Sequence, residues 1–387
     1  HYAVISLGKL RAAETIDDLA WALFVDKEGY TLFRDAELAI IRIGGEPMCN
    51  AMKKLFTLQN EKVFKKVDGK VLGIASEIGL EDPWVQIKAV EVMGQSRDKC
   101  FVDFLLGEFD KAIKPNSDYA IEVMAKMVQA IGRLGDQTAV EPLLKIFISK
   151  PMNTEQISIK EHIANALIQI GIPEGRLEEL IKIFEAGDTT IKGPDNKPLT
   201  LSQIPVAAAN ALTQLDLNAK FADRFDQAVA KGKVKTQIFG LEMSTPDLLK
   251  SFQRRYEISK RCKSDAACYA KEISLPPPND DGTHWAKVEK SLMAIGHLGD
   301  VKVGDAIVKA FQYPNLYVLN AAVFASNRLC TKDLYFKLMT AKKEANLGFM
   351  FQKPFEELGY VLAVKKRQFN ITEDRVIDEE KMEKAGK

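Results

Sequence analysis

The sequence predicts an all-α fold, a solenoid of about eight or nine stacked antiparallel helix hairpins, and three observations predict it. The stretch from Ile131 to Phe147, "IGRLGDQTAVEPLLKIF", and the stretch from Ile295 to Phe311, "IGHLGDVKVGDAIVKAF", agree at seven of seventeen positions and lie 164 residues apart, four times 41. Apolar residues around each copy recur every three or four positions, the period of one helix face. A small residue near a helix end then marks further copies at a mean spacing near forty residues: Gly8, Gly44, Gly94, Gly132, Gly171, Asp216, Gly240, Gly296 and Asn327. Self-similarity at such a period is the mark of a repeat array, in which each hairpin covers the apolar stripe of the one before.

Within the first copy, Ile121, Met124, Val128, Ile131 and Leu134 fall on one face of a first helix. Gly135 suits the left-handed residue that closes it, and Asp136 suits a cap that accepts hydrogen bonds from the amides beginning the next. Ala139, Val140, Leu143, Leu144 and Phe147 resume the spacing in a second helix, with Pro142 near its start, where a missing amide hydrogen costs least. Gly132 lies one turn before the cap, where its lack of a side chain lets helices approach. Gly296, Gly299 and Asp300 take the places of Gly132, Gly135 and Asp136 in the later copy.

Two segments interrupt the pattern. Residues 187–205, "GDTTIKGPDNKPLTLSQIP", read as a long loop or small hairpin, and residues 274–284 contain three consecutive prolines that hold the chain extended. "NDDG" at Asn279 to Gly282 lacks the spaced ligands and distal Glu of a calcium loop. The array covers residues 1–345, and residues 346–387 supply a capping helix and a frayed tail.

Composition excludes several roles. Apolar residues are 46% and charged residues 28%, the balance of a folded chain, and the formal net charge is +1. A chain so close to neutral lacks the basic excess that nucleic-acid binding requires. No run of eighteen apolar residues is present to span a membrane. The chain begins at His1 inside an apolar-periodic segment, so further residues are expected upstream, where any signal peptide or N-terminal lipid anchor would lie.

The phrase A-I-G-x-L-G-D-x-x-A-V-x-x-L, within Val128 to Leu144 and echoed near Gly8 and Gly296, resembles the HEAT repeat family. The likeness is strongest to the bacterial HEAT-like repeats also found in phycobilin lyases. The resemblance implies a superhelix whose successive second helices line a concave groove, and a non-enzymatic scaffold that binds another protein there. A bilin-lyase-like enzyme or chaperone is the alternative, followed by a nucleic-acid-binding HEAT protein. The di-iron HEAT enzymes, the deoxyhypusine hydroxylases, use His-Glu dipeptides as ligands. This chain has four histidines, at 1, 162, 284 and 297, and only the reversed pair Glu161-His162. No catalytic set, phosphate loop or zinc spacing is visible, so no catalytic residue, metal or cofactor is expected.

Five cysteines stand at 49, 100, 262, 268 and 330. Cys262 and Cys268 flank a cap, Ser264 or Asp265, so their sulfurs can meet across a turn, although the spacing also allows two free thiols. The segment "KRCKSDAACYAKEI", with the proline loop and "WAKVEKSLMAIG" after it, resembles bacterial HEAT-repeat lipoproteins of the cell envelope. That resemblance implies a Cys262–Cys268 disulfide and a periplasmic or envelope location, with the cytoplasm as the alternative. Cys49, Cys100 and Cys330 are expected to pack near helix ends as small apolar groups. From Lys231 to Glu272 ten basic residues outnumber five acidic ones, and Arg254, Arg255, Tyr256 and Lys260 are the candidate surface for an acidic protein partner.

Overall fold

The computed structural model describes residues 1–371 except 28–29, 68–69, 74–81, 115–116, 152, 193–196, 236–243, 279, 281 and 346. The Gly240 marker, half of the "NDDG" motif and the expected tail lie outside the described residues. The described chain is predominantly α-helical and divides into two compact units, His1–Pro142 and Leu143–Lys387. No helix among the described residues is long and apolar enough to cross a membrane.

The first unit holds α1 (Tyr2–Leu10), α2 (Ile16–Ala22), α3 (Phe33–Ile43), α4 (Gly45–Phe56), α5 (Asp82–Ser96), α6 (Val102–Ala112) and α7 (Ile121–Leu134). Strands β1 (Asp26–Lys27) and β2 (Tyr30–Thr31) pair before α3, and β3 (Phe64–Val67) and β4 (Lys70–Gly73) pair before α5, both antiparallel. The division between units falls in the first turn of α8 (Val140–Ile148). The second unit continues with α9 (Thr154–Ile170), α10 (Leu177–Ala186), the antiparallel pair β5 (Thr189–Lys192) and β6 (Pro198–Leu201), α11 (Gln203–Leu215) and α12 (Ala222–Lys231). Next come α13 (Thr245–Cys262), α14 (Ala266–Glu272), α15 (His284–Leu298), α16 (Asp305–Ala310), α17 (Leu316–Leu329), α18 (Lys332–Glu344) and a last helix, α19 (Gln352–Gln368).

Helices pack on the next but one. In the first unit α1 packs on α3, α3 on α5 and α5 on α7, while α2 packs on α4. In the second, α9 packs on α11, α11 on α13 and α15, α15 on α17 and α17 on α19, while α10 packs on α12, α14 on α16 and α16 on α18. Neighbours in sequence pack as well, among them α4 on α5, α10 on α11 and α14 on α15.

Small residues set the spacing of three odd-helix pairs. A β-carbon on Gly8 of α1 would lie 2.6 Å from Cα of Ala39 in α3, and one on Gly94 of α5 would lie 2.9 Å from Cα of Ala130 in α7. One on Gly296 of α15 would lie 2.6 Å from the Phe324 ring of α17. All three glycines sit near the C-terminal end of their helix and meet the C-terminal half of the next odd helix, and with the contacts His1–Asp35, Glu91–Lys126 and Trp285–Tyr317 they make these three pairs parallel. Gly132 is buried in α7. Gly44 and Gly171, by contrast, are at helix ends with φ of 62° and 91°, so these two markers sit at the cap rather than one turn before it.

The Gly-Asp turns have the expected local structure. Gly135 and Gly299 close α7 and α15 in the left-handed region, with φ of 66° and 73°. The Asp136 carboxylate accepts from the Thr138 amide at 3.1 Å and that of Asp300 from Lys302 at 3.0 Å. Each opens a short 3-10 turn rather than the α-helix itself. Arg97 and Asp98 repeat the arrangement with a non-glycine left-handed residue, φ 51°. On α7 the buried face is Val123, Met127, Val128, Ala130, Ile131 and Leu134; Ile121 and Met124, expected there, are half-buried.

The segment 187–205 resolves into the β5–β6 hairpin. Ile191 and Leu201 from its inner face join Ile157 of α9 and Ile204 of α11 in one apolar cluster. Each such side chain is worth roughly 1.5–3 kcal/mol when withdrawn from water. Thr190 and Thr200 share a hydrogen bond of 3.0 Å on the exposed face.

Candidate functional site

The basic segment does not form the surface that its charge suggests. Arg255 and Tyr256 are each 2% exposed and point into the second unit. One Arg255 terminal nitrogen donates to Asn210 Oδ1 at 2.7 Å and Thr213 Oγ1 at 3.1 Å, and the other to Glu289 Oε2 at 2.6 Å. The guanidinium lies 4.5 Å from the Phe252 ring centroid. Tyr256 packs on Phe225, and its phenol is held far above its ordinary range, by burial first and then by the neighbouring Asp216 carboxylate. Of the four candidates only Arg254 and Lys260 reach solvent. Arg254 pairs with Glu257 at 2.7 Å, and Lys260 lies 3.3 Å from Asp223 and 3.7 Å from Asp226. The candidate patch is thus corrected. The side chains split between core and solvent because α13 is amphipathic, and the two that face outward are already matched by carboxylates.

Arg255 belongs to a buried ionic network joining α11, α13 and α15. Lys290 is wholly buried, donates to the Gln214 carbonyl at 2.8 Å, and has its ammonium pushed down to about 7, by burial before any charge effect. Asp216, at the end of α11, accepts from the amides of Lys220 at 3.0 Å and Phe221 at 2.8 Å. Two cations and two carboxylates, Arg255, Lys290, Asp216 and Glu289, offset one another in a region that would penalise any of them alone. Lys160, 2% exposed, does similar work at the end of α8: its ammonium donates to the carbonyls of Ile146 at 2.5 Å and Phe147 at 2.8 Å and to that of Ser149. Those are among the carbonyls that a helix end leaves unpaired.

His297 takes the place of Arg133 in the repeat, and α15 carries it inward against Phe324. Burial, with Arg328 and Lys290 adding positive charge nearby, pushes its imidazole down to about 4. The unfolded chain therefore binds a proton between pH 6.5 and about 4 that the folded chain refuses, and stability falls as the pH is lowered through that window. The loss amounts to roughly 3 kcal/mol at its fullest. Urea denaturation of the His297→Gln variant is expected to show a flatter profile than the unaltered protein between pH 7 and pH 4. Parallel profiles would contradict this account.

Four of the five cysteines are paired. Cys262 and Cys268 form a disulfide, with Asp265 between them capping α14 through the amides of Ala267 at 2.9 Å and Cys268 at 3.1 Å. Cys49 of α4 and Cys100 also form a disulfide, with their Cα atoms 6.3 Å apart. This corrects the expectation that these two pack as separate small apolar groups. Cys330 is free, half-buried, with burial pushing its thiol up to about 11. Two disulfides point to an oxidising environment. Beside the first bond lies Asp98, whose carboxylate accepts from the Cys100 amide at 3.3 Å. A ligand atom from each of Cys49, Asp98 and Cys100 lies within 4.8 Å of the other two, a metal-ligand grouping that sequence spacing does not reveal.

One surface feature recurs in each unit. Connections from an odd to the following even helix are short turns, whereas those from an even to the next odd helix carry all three described β-hairpins and the proline-rich segment after α14. Each of these longer connections leads into the start of an odd helix, and where neighbouring odd helices run parallel they gather at one edge of their unit. In each unit the exposed large apolar residues gather at that unit's own edge of this kind. Tyr2, Trp21, Trp84, Ile148, Leu275, Leu316, Tyr317, Phe349 and Met350 lie on these connections or the helix ends beside them, whereas among the described residues only Leu10 and Val301 lie beside the short odd-to-even turns. Trp285 stacks on Tyr317 at 4.7 Å across the starts of α15 and α17, and Lys88 reaches within 3.4 Å of the Phe33 ring centroid and 4.7 Å of that of Trp84 across the starts of α3 and α5. The sequence matches no protein-family model and no curated protein.

Proposed function

We propose that the protein is a HEAT-like α-solenoid acting as a non-enzymatic scaffold. It holds another protein against the edge of its second unit that carries the β5–β6 hairpin and the proline segment, outside the cytoplasm in the bacterial envelope or periplasm. The observation that carries this reading is the gathering of exposed aromatic and aliphatic side chains at the edge that also carries the β-hairpins and the proline segment. Exposed apolar residues rimmed by polar ones mark interaction surfaces, and loops on a rigid scaffold are where binding residues collect. The resemblance to envelope HEAT proteins suggests a groove lined by the second helices. The distribution of exposed apolar side chains supports the connection edge instead. The packing of many helices on the next but one supports the repeat architecture, and the two disulfides support the compartment.

The test is site-specific photo-crosslinking in the native cell. A benzophenone side chain at Tyr317 or Phe349 is expected to trap a partner as an adduct of defined mass, and one at Leu10 or Val301 is expected to trap none. Adducts of equal yield at both edges, or at neither, would remove the reading.

A catalyst of the bilin-lyase type is the second reading, and the Cys49–Asp98–Cys100 grouping is the observation that favours it. Such a protein would gain visible absorbance on mixing with a bilin.

A further inference from the structure

We propose that Cys49, Cys100 and Asp98 form a redox-gated site for a thiophilic divalent cation of the zinc class, closed as a disulfide and open as a dithiol. The geometry suits both states. Zinc bound by two thiolates at ~2.3 Å and a carboxylate oxygen at ~2.0 Å holds its ligands less than about 4 Å from one another. The three ligand atoms here already lie within 4.8 Å of one another, so loading requires the sulfurs to part while the backbone stays in place. Cys49 is fixed on α4, against which the turn carrying Cys100 packs. Asp98 is held from two sides: its amide donates to Ser96 Oγ at 3.3 Å and its carboxylate accepts from the Cys100 amide. Cys49 is buried, while Asp98 and Cys100 are half-buried, so the grouping lies where the core meets solvent.

The exchange balances as follows. A dithiol donor passes two electrons and two protons to the Cys49–Cys100 bond and is itself oxidised to a disulfide, leaving two thiols. The cation displaces both thiol protons to solvent and takes two thiolates and the Asp98 carboxylate as ligands. In the other direction a disulfide oxidant accepts two electrons, the S–S bond re-forms, and the cation is released.

The test uses the full chain with Cys262→Ala and Cys268→Ala, so that Cys49 and Cys100 are its only dithiol. After phosphine reduction, titration with Co²⁺ is expected to give the thiolate charge-transfer and visible bands of a tetrahedral site, saturating at one equivalent and bleached by Zn²⁺. The oxidised protein is expected to give neither band. Asn caps a turn as well as Asp does but is a poor cation ligand. Asp98→Asn is therefore expected to keep the far-ultraviolet circular dichroism while weakening Co²⁺ binding at least about tenfold. If the reduced chain loses helicity, Co²⁺ is expected to restore it. Absence of the thiolate bands with no restoration of helicity, or equal affinity in Asp98→Asn, would overturn the proposal.

Discussion

Arg255→Ala is expected to destabilise the second unit by about 3–5 kcal/mol, while Arg254→Ala, one residue away, is expected to change stability by no more than about 0.5 kcal/mol. The side chain of Arg254 is 32% exposed and its partner Glu257 is 48% exposed, so water and salt screen the pair. Arg255 is 2% exposed and Glu289 12%. Removing the guanidinium leaves a carboxylate without its cation in a buried setting, strips Asn210 and Thr213 of a donor, and opens a cavity beside Phe252. Arg255→Glu goes further, because it places two carboxylates where one already needs a cation. The compensating pair Arg255→Met with Glu289→Leu is expected to recover most of the loss, since exchanging a buried ion pair for apolar groups is often nearly neutral. Urea denaturation of the four variants decides the matter. Equal effects of Arg254→Ala and Arg255→Ala would show that the buried network contributes little.

Arg255 also shows how far the sequence could be read. The run of cations between Lys231 and Glu272 suggests a solvated patch, yet Leu248, Leu249, Phe252, Tyr256 and Ser259 recur every three or four residues and are all buried. Arg255 falls three positions after Phe252, on that same face, so the signal that removes it from the surface was present in the spacing. Local features were legible because they depend on neighbours in sequence: the left-handed glycines at 135 and 299, the capping carboxylates of Asp136 and Asp300, and the hairpin between Gly187 and Pro205.

Features built from distant residues were not legible. Glu289 reaches Arg255 from 34 positions away, and Cys100 is 51 positions from Cys49, with an odd cysteine count that gives no pairing rule. Asp98 is hidden for another reason. Arg97 occupies the place that glycine holds in the Gly-Asp turns, so the turn is spelled differently while the backbone does the same thing. The connection edge needed helix boundaries and directions together, because a residue such as Tyr317 belongs to an edge only once α17 has a start and a neighbour.

The largest difference between the two disulfides is expected in what their loss costs. A crosslink removes conformational freedom from the unfolded chain, and the loop-entropy relation grows with the logarithm of loop length. The Cys49–Cys100 bond closes a separation of 51 residues, worth roughly 4 kcal/mol, and the Cys262–Cys268 bond one of 6, worth roughly 2 kcal/mol. The double replacement Cys49→Ala with Cys100→Ala is therefore expected to cost about twice as much as Cys262→Ala with Cys268→Ala. Location sharpens the expectation. The first bond lies wholly within His1–Pro142 and the second within Leu143–Lys387. Hydrogen exchange on the first double variant is expected to lose amide protection in α3, α4 and α5 while α15 and α17 keep theirs, and on the second variant to lose it around α13 and α14. Asp265 retains its capping bonds in that second variant, which limits the damage to the turn itself. Equal destabilisation by the two replacements, or loss of protection spread evenly over both units, would mean that the bonds act through native-state packing rather than through the unfolded chain.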